Sequence, residues 1–302
     1  MNTSILTKQN IRRIILFLAI AGVIFLTISI PFGDYRRFGH AIDWTIKKEM
    51  EMEAEKEDAY EVLFFGDSIS LSAFYPDVLE EDYGIRSYNC ATEGQWLGDT
   101  KTILEYALTM WKPKLIVLEA NCIYREVSEE DLSLAKIFPL LRYHLAPMFC
   151  LSYSGRTNPT KGFKDVDTSD AYTGPRDYMN SANEIEPLPE QNIKVLEEIY
   201  SYCVENNIAL MVASAPMARS VTNGQWTSWT NGKHAAVQGW CDEHQIEYID
   251  YNYLLEDIGF DWNTDTRDRG DHVNKSGATK VSLYLGDKLI QSDLFQNEGG
   301  SD

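Results

Sequence analysis

Positive charge is scarce in this sequence: 27 Lys and Arg stand against 46 Asp and Glu, a net charge of −19 over 302 residues. A surface of that sign repels phosphate backbones, which argues against nucleic acid as a partner, and it is unsuited to lying flat on anionic lipid. Cysteine is sparse as well. Cys90, Cys122, Cys150, Cys203 and Cys241 are dispersed, with no Cys-x-x-Cys spacing among them. That pattern supports neither a disulfide framework nor a zinc cage, and small buried thiols are expected.

Long apolar runs are missing with one exception. Ile14 to Ile30 is an uncharged stretch of seventeen residues, extended by Pro31 and Phe32. As a helix it covers roughly 25–30 Å, enough for a bilayer core. Ser29-Ile30-Pro31-Phe32 is a poor cleavage site, so an uncleaved anchor is expected rather than a signal peptide. Lys8, Arg12 and Arg13 precede the run and Arg36, Arg37, Lys47 and Lys48 follow it, so flanking charge does not set the orientation. A single anchor with a short basic head points to a single-pass protein of the cell membrane with its body extracytoplasmic. The chain then divides into a segment 1–13, an anchor 14–33, a charged helical stalk 34–58 and a body 59–302, with an insertion at about 123–188. The stalk reading follows from helix formers without Gly or Pro after Gly39, ending in the charged run Glu49 to Asp58.

The body alternates short apolar runs with amphipathic segments. Val62–Phe65, Ile85–Ala91, Leu115–Leu118, Ile208–Ala213 and Ile246–Asp250 read as five buried strands. Helices are expected over Leu71–Tyr83, from Asp99 to Trp111, Pro189–Asn206, Asn231–His244 and Ser276–Gln291. Strands alternating with helices predict a parallel sheet covered on both faces, an α/β fold. The insertion breaks the rhythm: Asp131–Cys150 has a helical pattern, and 152–182 reads as a long irregular excursion that either roofs a groove or is a loose insertion. His40 and His144 carry no signal beyond solvent exposure or local packing.

Two segments carry chemistry. Phe64-Phe65-Gly66-Asp67-Ser68 ends a buried strand in a polar turn at the sheet edge where open α/β folds place ligands. Ser68 is a candidate nucleophile; alternatively Asp67 or Ser68 caps the next helix. The second segment, Asp265 to Gly277, holds His272 between carboxylates on a turn before the last helix. A serine hydroxyl needs a base to take its proton, and the base needs a carboxylate to orient it. Asp261-x-Asn263-x-Asp265 has the start of a calcium loop, but Thr266 stands where that loop needs Gly and His272 where it needs Glu.

With these residues in place, the chain from about Ala59 to Gln291 resembles the SGNH (GDSL-type) hydrolase superfamily, the insertion excepted. Gly66-Asp67-Ser68 follows the first strand, Gly94 follows the second, and His272 with Val273, Asn274 and Gly277 resembles the terminal histidine block. The resemblance implies a flavodoxin-like three-layer α/β/α fold with about five parallel strands, and ester chemistry without metal or cofactor. It also implies an oxyanion hole from the Ser68 and Gly94 backbone N–H groups and an Asn side chain. Two positions depart from the pattern. The family's Gly-x-Asn-Asp turn is Glu119-Ala120-Asn121-Cys122 here, leaving Asn121 as the third oxyanion donor. The triad acid, three residues before the histidine in the family, is replaced by Arg269; Asp268 and Asp271 flank it, and Asp268 is preferred.

The function this implies is a membrane-anchored serine esterase that removes acetyl or other small acyl groups from a carbohydrate or lipid ester. The alternatives are an O-acyltransferase working with a membrane acyl-donor partner on a cell-wall or exopolysaccharide hydroxyl, and a catalytically impaired scaffold. Trp96, Trp226, Trp229 and Trp262 are candidates for sugar stacking, although aromatic residues near loops commonly just pack.

Overall fold

The computed structural model describes residues 8–29, 42–56, 58–126, 157–222 and 224–296. The readings made for His40, His144, Cys150 and the 131–150 helix lie outside them.

The first helix, α1 (Lys8–Ser29), is apolar enough to cross a membrane, with a mean hydropathy of 2.3 over its most apolar window. Its Ile and Leu side chains and Phe17 are exposed. The second helix, α2 (Ile42–Glu53), departs from the stalk reading. It is not a solvated rod: Thr45, Ile46, Lys48, Glu49, Glu51 and Met52 are buried, and it packs on the body. Lys48 carries the docking, with its Nζ donating to the carbonyls of Asn89 (2.9 Å) and Gly162 (3.3 Å). Burial lowers the pKa of that amine.

In the body, β1 (Val62–Phe65) leads into α3 (Ser68–Ala73) and α4 (Pro76–Tyr83), where one helix over 71–83 is expected. The break falls before Pro76, which is tolerated at the start of a helix but not within one. Strand β2 (Ser87–Asn89) precedes α5 (Leu97–Met110), and β3 (Leu115–Glu119) runs into a 3₁₀ turn, Ala120–Tyr124. Next come α6 (Glu190–Glu205) and β4 (Ala209–Ser214), then a hairpin of β5 (Ser220–Thr222) and β6 (Gln225–Thr227). The chain closes with α7 (Asn231–His244), β7 (Glu247–Asp250), the hairpin β8 (Thr266–Arg267) and β9 (His272–Val273), α8 (Lys275–Leu289) and α9 (Asp293–Gln296).

Five strands form one parallel sheet in the order β2-β1-β3-β4-β7, the flavodoxin-like arrangement. The strand residues Val62–Phe65 and Leu115–Glu119 are all buried, as befits a sheet covered on both faces. Helices α4 and α8 touch each other, as do α5 and α6, and α2 packs against α5. Phe64 stacks on Phe74 at 4.8 Å, and Tyr60, Tyr88 and Trp111 form an aromatic corner under α2. Cys90, Cys122, Cys203 and Cys241 are buried free thiols, and burial pushes those of Cys90, Cys203 and Cys241 up to about 12.

Residues 157–182 are bound to the body rather than loose. Backbone hydrogen bonds join Lys161 to Asn89, Lys164 to Leu71, Asp170 to Thr266, Tyr172 to Trp262 and Val166 to Lys275. The segment runs over the strand ends between β2, α3 and the β8–β9 hairpin.

Candidate active site

The order of strands puts a topological switch between β1 and β3, whose C-terminal ends lie side by side with Phe65 opposite Leu118. The turn after β1 is tight. Gly66 has φ +144°, and a Cβ there would stand 2.8 Å from the Cβ atoms of both Glu119 and Ser70. Asp67 follows as N-cap of α3, its Oδ1 accepting from the Ile69 N–H at 2.9 Å. The cap is therefore Asp67, which leaves the hydroxyl of the adjacent Ser68 free of that role.

His272 reaches that hydroxyl from the opposite end of the chain, with Nε2 at 2.9 Å from Ser68 Oγ. Its Nδ1 lies 3.1 Å from Asp268 Oδ2 and 3.4 Å from Asp271 Oδ2. The two acids differ in setting. Asp268 is half exposed, and Arg267 Nη1 stands 3.6 Å from its Oδ2. Asp271 is buried, and its carboxyl is raised above the usual range, first by burial and further by the neighbouring Asp67 and Asp268 charges. Asp268 sits four residues before His272 rather than three. The extra residue is absorbed by three consecutive left-handed positions, Asp268 (φ 55°), Arg269 (φ 56°) and Gly270 (φ 88°). Thr266 Oγ1 accepts from Gly270 N–H and donates within this hairpin, holding the coil shut.

Gly94 lies in the turn after β2 with φ +66°. Thr92 N–H donates to Gly66 O (3.4 Å), which hangs this turn beside the Ser68 turn.

Asn121 is placed in the 3₁₀ turn after β3, its own N–H accepted by Glu119 Oε2 at 2.9 Å. Its Nδ2 donates to Asp67 Oδ2 at 2.8 Å and, at the longer distance of 3.5 Å, to Ser220 Oγ. One amide hydrogen is thus spent on Asp67, and the other reaches a further acceptor only in exchange for the long contact with Ser220.

Beneath Ser68 and His272 lies a layer that the sequence did not reveal. Arg125 donates to Asp67 Oδ2 through Nη2 (2.8 Å) and Nε (3.3 Å), so the buried Asp67 carboxylate is neutralised by a guanidinium. Arg125 is the single cation between Leu115 and Glu129, and that isolation in an acidic chain was the one available signal. Glu119 is fully buried behind this pair. Burial, then the Asp67 charge, raise its carboxyl well above the usual range. Arg267 Nη2 donates to Ser72 Oγ at 2.7 Å and ties the triad hairpin to α3.

The remaining sequence candidates go elsewhere. Trp229 is buried and donates to Asp250, which also holds His234. His244 pairs with Glu197. Trp262 packs on Tyr172 and Tyr178, and Trp96 donates to Asn192. Trp226 is exposed. In the calcium-like loop, Asp265 is spent on Lys280 at 2.6 Å and Asp261 on the N–H groups of Asn263.

No protein-family model and no curated protein matches the chain. Among solved structures it is similar to a psychrotrophic esterase, EstA, from Pseudoalteromonas sp., at 12% identity and a TM-score of 0.42 over 76% of this chain and 97% of that one. It is also similar to an acetyl xylan esterase, AlAXEase (14% identity, TM-score 0.41, 76% and 97% covered). A third is a GDSL-like lipase from Bacteroides thetaiotaomicron VPI-5482 (11% identity, TM-score 0.41, 86% and 98% covered). Likeness at that level adds no weight to the residues' own geometry.

Proposed function

We propose that the chain is a serine esterase of the SGNH (GDSL) type that acts through an acyl-Ser68 intermediate. One observation carries this reading: Ser68 Oγ, the His272 ring and the Asp268 carboxylate form a continuous relay at the strand ends, with steps of 2.9 and 3.1 Å.

In the first step His272 Nε2 takes the Ser68 proton as Oγ attacks the ester carbonyl. Asp268 holds Nδ1–H and stabilises the imidazolium. The backbone N–H groups of Ser68 and Gly94, with the second amide hydrogen of Asn121, are the donors for the oxyanion. Each such donor is worth about 10²–10³ in rate. His272 then gives the proton to the leaving alcohol. Water, deprotonated by the same ring, resolves the acyl-enzyme.

The substrate proposed is an acetyl or other small acyl ester of a carbohydrate or lipid, met at a membrane surface to which α1 anchors the protein. The extracytoplasmic side is part of the proposal. Transfer to a second hydroxyl instead of water uses the same relay.

A serine-directed fluorophosphonate on the full chain tests the reading. Labelling is expected at Ser68 and is expected to vanish in Ser68→Ala and to slow at least a hundredfold in His272→Ala. An unlabelled wild-type protein would favour the scaffold reading. Acyl release to water, against appearance of the acyl group on an added polyol, separates esterase from transferase.

A further inference from the structure

We propose that the β5–β6 hairpin carries a sugar platform, the Trp226 ring braced by Arg219, which seats a pyranose beside Ser68. The inference rests on the esterase reading and narrows its substrate to an O-acylated carbohydrate.

Trp226 is 59% exposed, whereas Trp111, Trp229, Trp240 and Trp262 are buried. An indole left in water forgoes a large burial energy and offers a flat apolar face to a ligand. The ring does not hang free. The Arg219 guanidinium lies 4.2 Å from its centroid and braces one face by cation–π attraction.

The brace is tied to the catalytic hairpin. Arg219 Nη2 donates to Asp268 O at 2.9 Å, and Arg219 N–H donates to Gly270 O at 3.2 Å. On the other strand side, Val221 pairs with Trp226, and the Val221 carbonyl accepts from Arg125 Nη2 at 3.4 Å. Ser220, the next residue along, stands 3.5 Å from Asn121 Nδ2. The platform is therefore fixed to the triad acid at one point and to the pair that holds the nucleophile turn at another.

Chemistry favours a sugar over an acyl chain. A lipid tail needs continuous apolar surface, yet Trp226 is the sole large exposed apolar side chain of the hairpin. The others on the body, such as Ile185, Ile193, Val204 and Ile290, lie on separate elements. Val221 stands across the hairpin from Trp226, while Gln225 and Thr227 alternate to the other face, so the polar group at the ring is the Arg219 guanidinium. A pyranose presents one face of C–H groups to an indole and a rim of hydroxyls to such a cation.

The test uses the full chain in detergent and two readouts. Turnover is compared on O-acetylated xylo-, manno- and chito-oligosaccharides, on p-nitrophenyl acetate and on p-nitrophenyl laurate. Trp226→Ala is expected to lower kcat/KM on at least one oligosaccharide, relative to p-nitrophenyl acetate, at least tenfold and through KM. Trp226→Tyr should recover part of that loss. If the laurate ester instead suffers the selective loss, a lipid takes the platform and the proposal falls. Binding of the same oligosaccharides to Ser68→Ala protein by calorimetry reads the platform without chemistry. A tenfold weaker Kd on adding Trp226→Ala supports it, and no binding, or equal binding, overturns it. Fluorophosphonate labelling reports separately on the esterase reading, so the two fail independently.

Discussion

Asp268 and Asp271 both approach His272 Nδ1, and their settings decide between them. Asp268 is nearer, remains half in water and stands beside Arg267. Asp271 is buried next to two other carboxylates, and its proton is held more tightly. Asp268→Asn is therefore expected to lower kcat on p-nitrophenyl acetate by about 10²–10⁴, and Asp271→Asn by less than about tenfold. The opposite order would move the triad acid to Asp271. A second residue-scale expectation concerns Glu119. Its folded carboxyl is raised by burial, while in the unfolded chain it ionises near about 4.3. Above that pH the unfolded state releases a proton that the folded state keeps, so stability declines as pH rises toward the folded value. Glu119→Gln removes this slope. Urea midpoints of variant and wild type should agree most closely at about pH 4, below the unfolded pKa, with the variant higher at pH 8. Gly66→Ala is expected to lower stability by about 1–3 kcal/mol and to abolish labelling, because a Cβ would collide with Glu119 and Ser70 at a positive φ.

At the scale of elements, β1, β3 and β4 were legible as short continuous apolar runs, the mark of a strand covered on both faces, whereas β2 (Ser87–Asn89) showed only as apolar alternation around Tyr88. The two hairpins were not legible. β8 and β9 have two residues each and β5 and β6 three, too short for any period to show. Helix α2 was misread for a different reason. Its charges suggested solvent, but Lys48 uses its charge inward, on the carbonyls of Asn89 and Gly162, and Ile46 and Met52 fill the space beside it. Truncating either apolar residue to Ala is expected to cost about 2–5 kcal/mol in denaturant unfolding, which a solvated stalk would not feel.

For the whole molecule, this docking sets where the body begins. A fragment starting at Ile42 is expected to unfold at a higher temperature than one starting at Tyr60, by thermal melts in the same buffer, because only the longer one keeps α2 over Tyr88 and Trp111. The apolar α1 should hold the full chain in the membrane pellet after alkaline carbonate washing, and removal of residues 1–33 should release it. What the sequence by itself determined is local in origin. Apolar runs specified most of the sheet, a Gly-Asp-Ser turn marked Ser68 as the candidate nucleophile, and three ordered blocks pointed to the chemistry proposed. The tertiary structure alone decided the partners. Ser68 and His272 meet across 204 residues. Three left-handed residues let Asp268 span one position too many. Asp67 is held by Arg125, and Asn121 spends one hydrogen on the same carboxylate. Each of these depends on long-range packing that brings separate strand ends to one edge, and no local pattern of residues encodes such a distance.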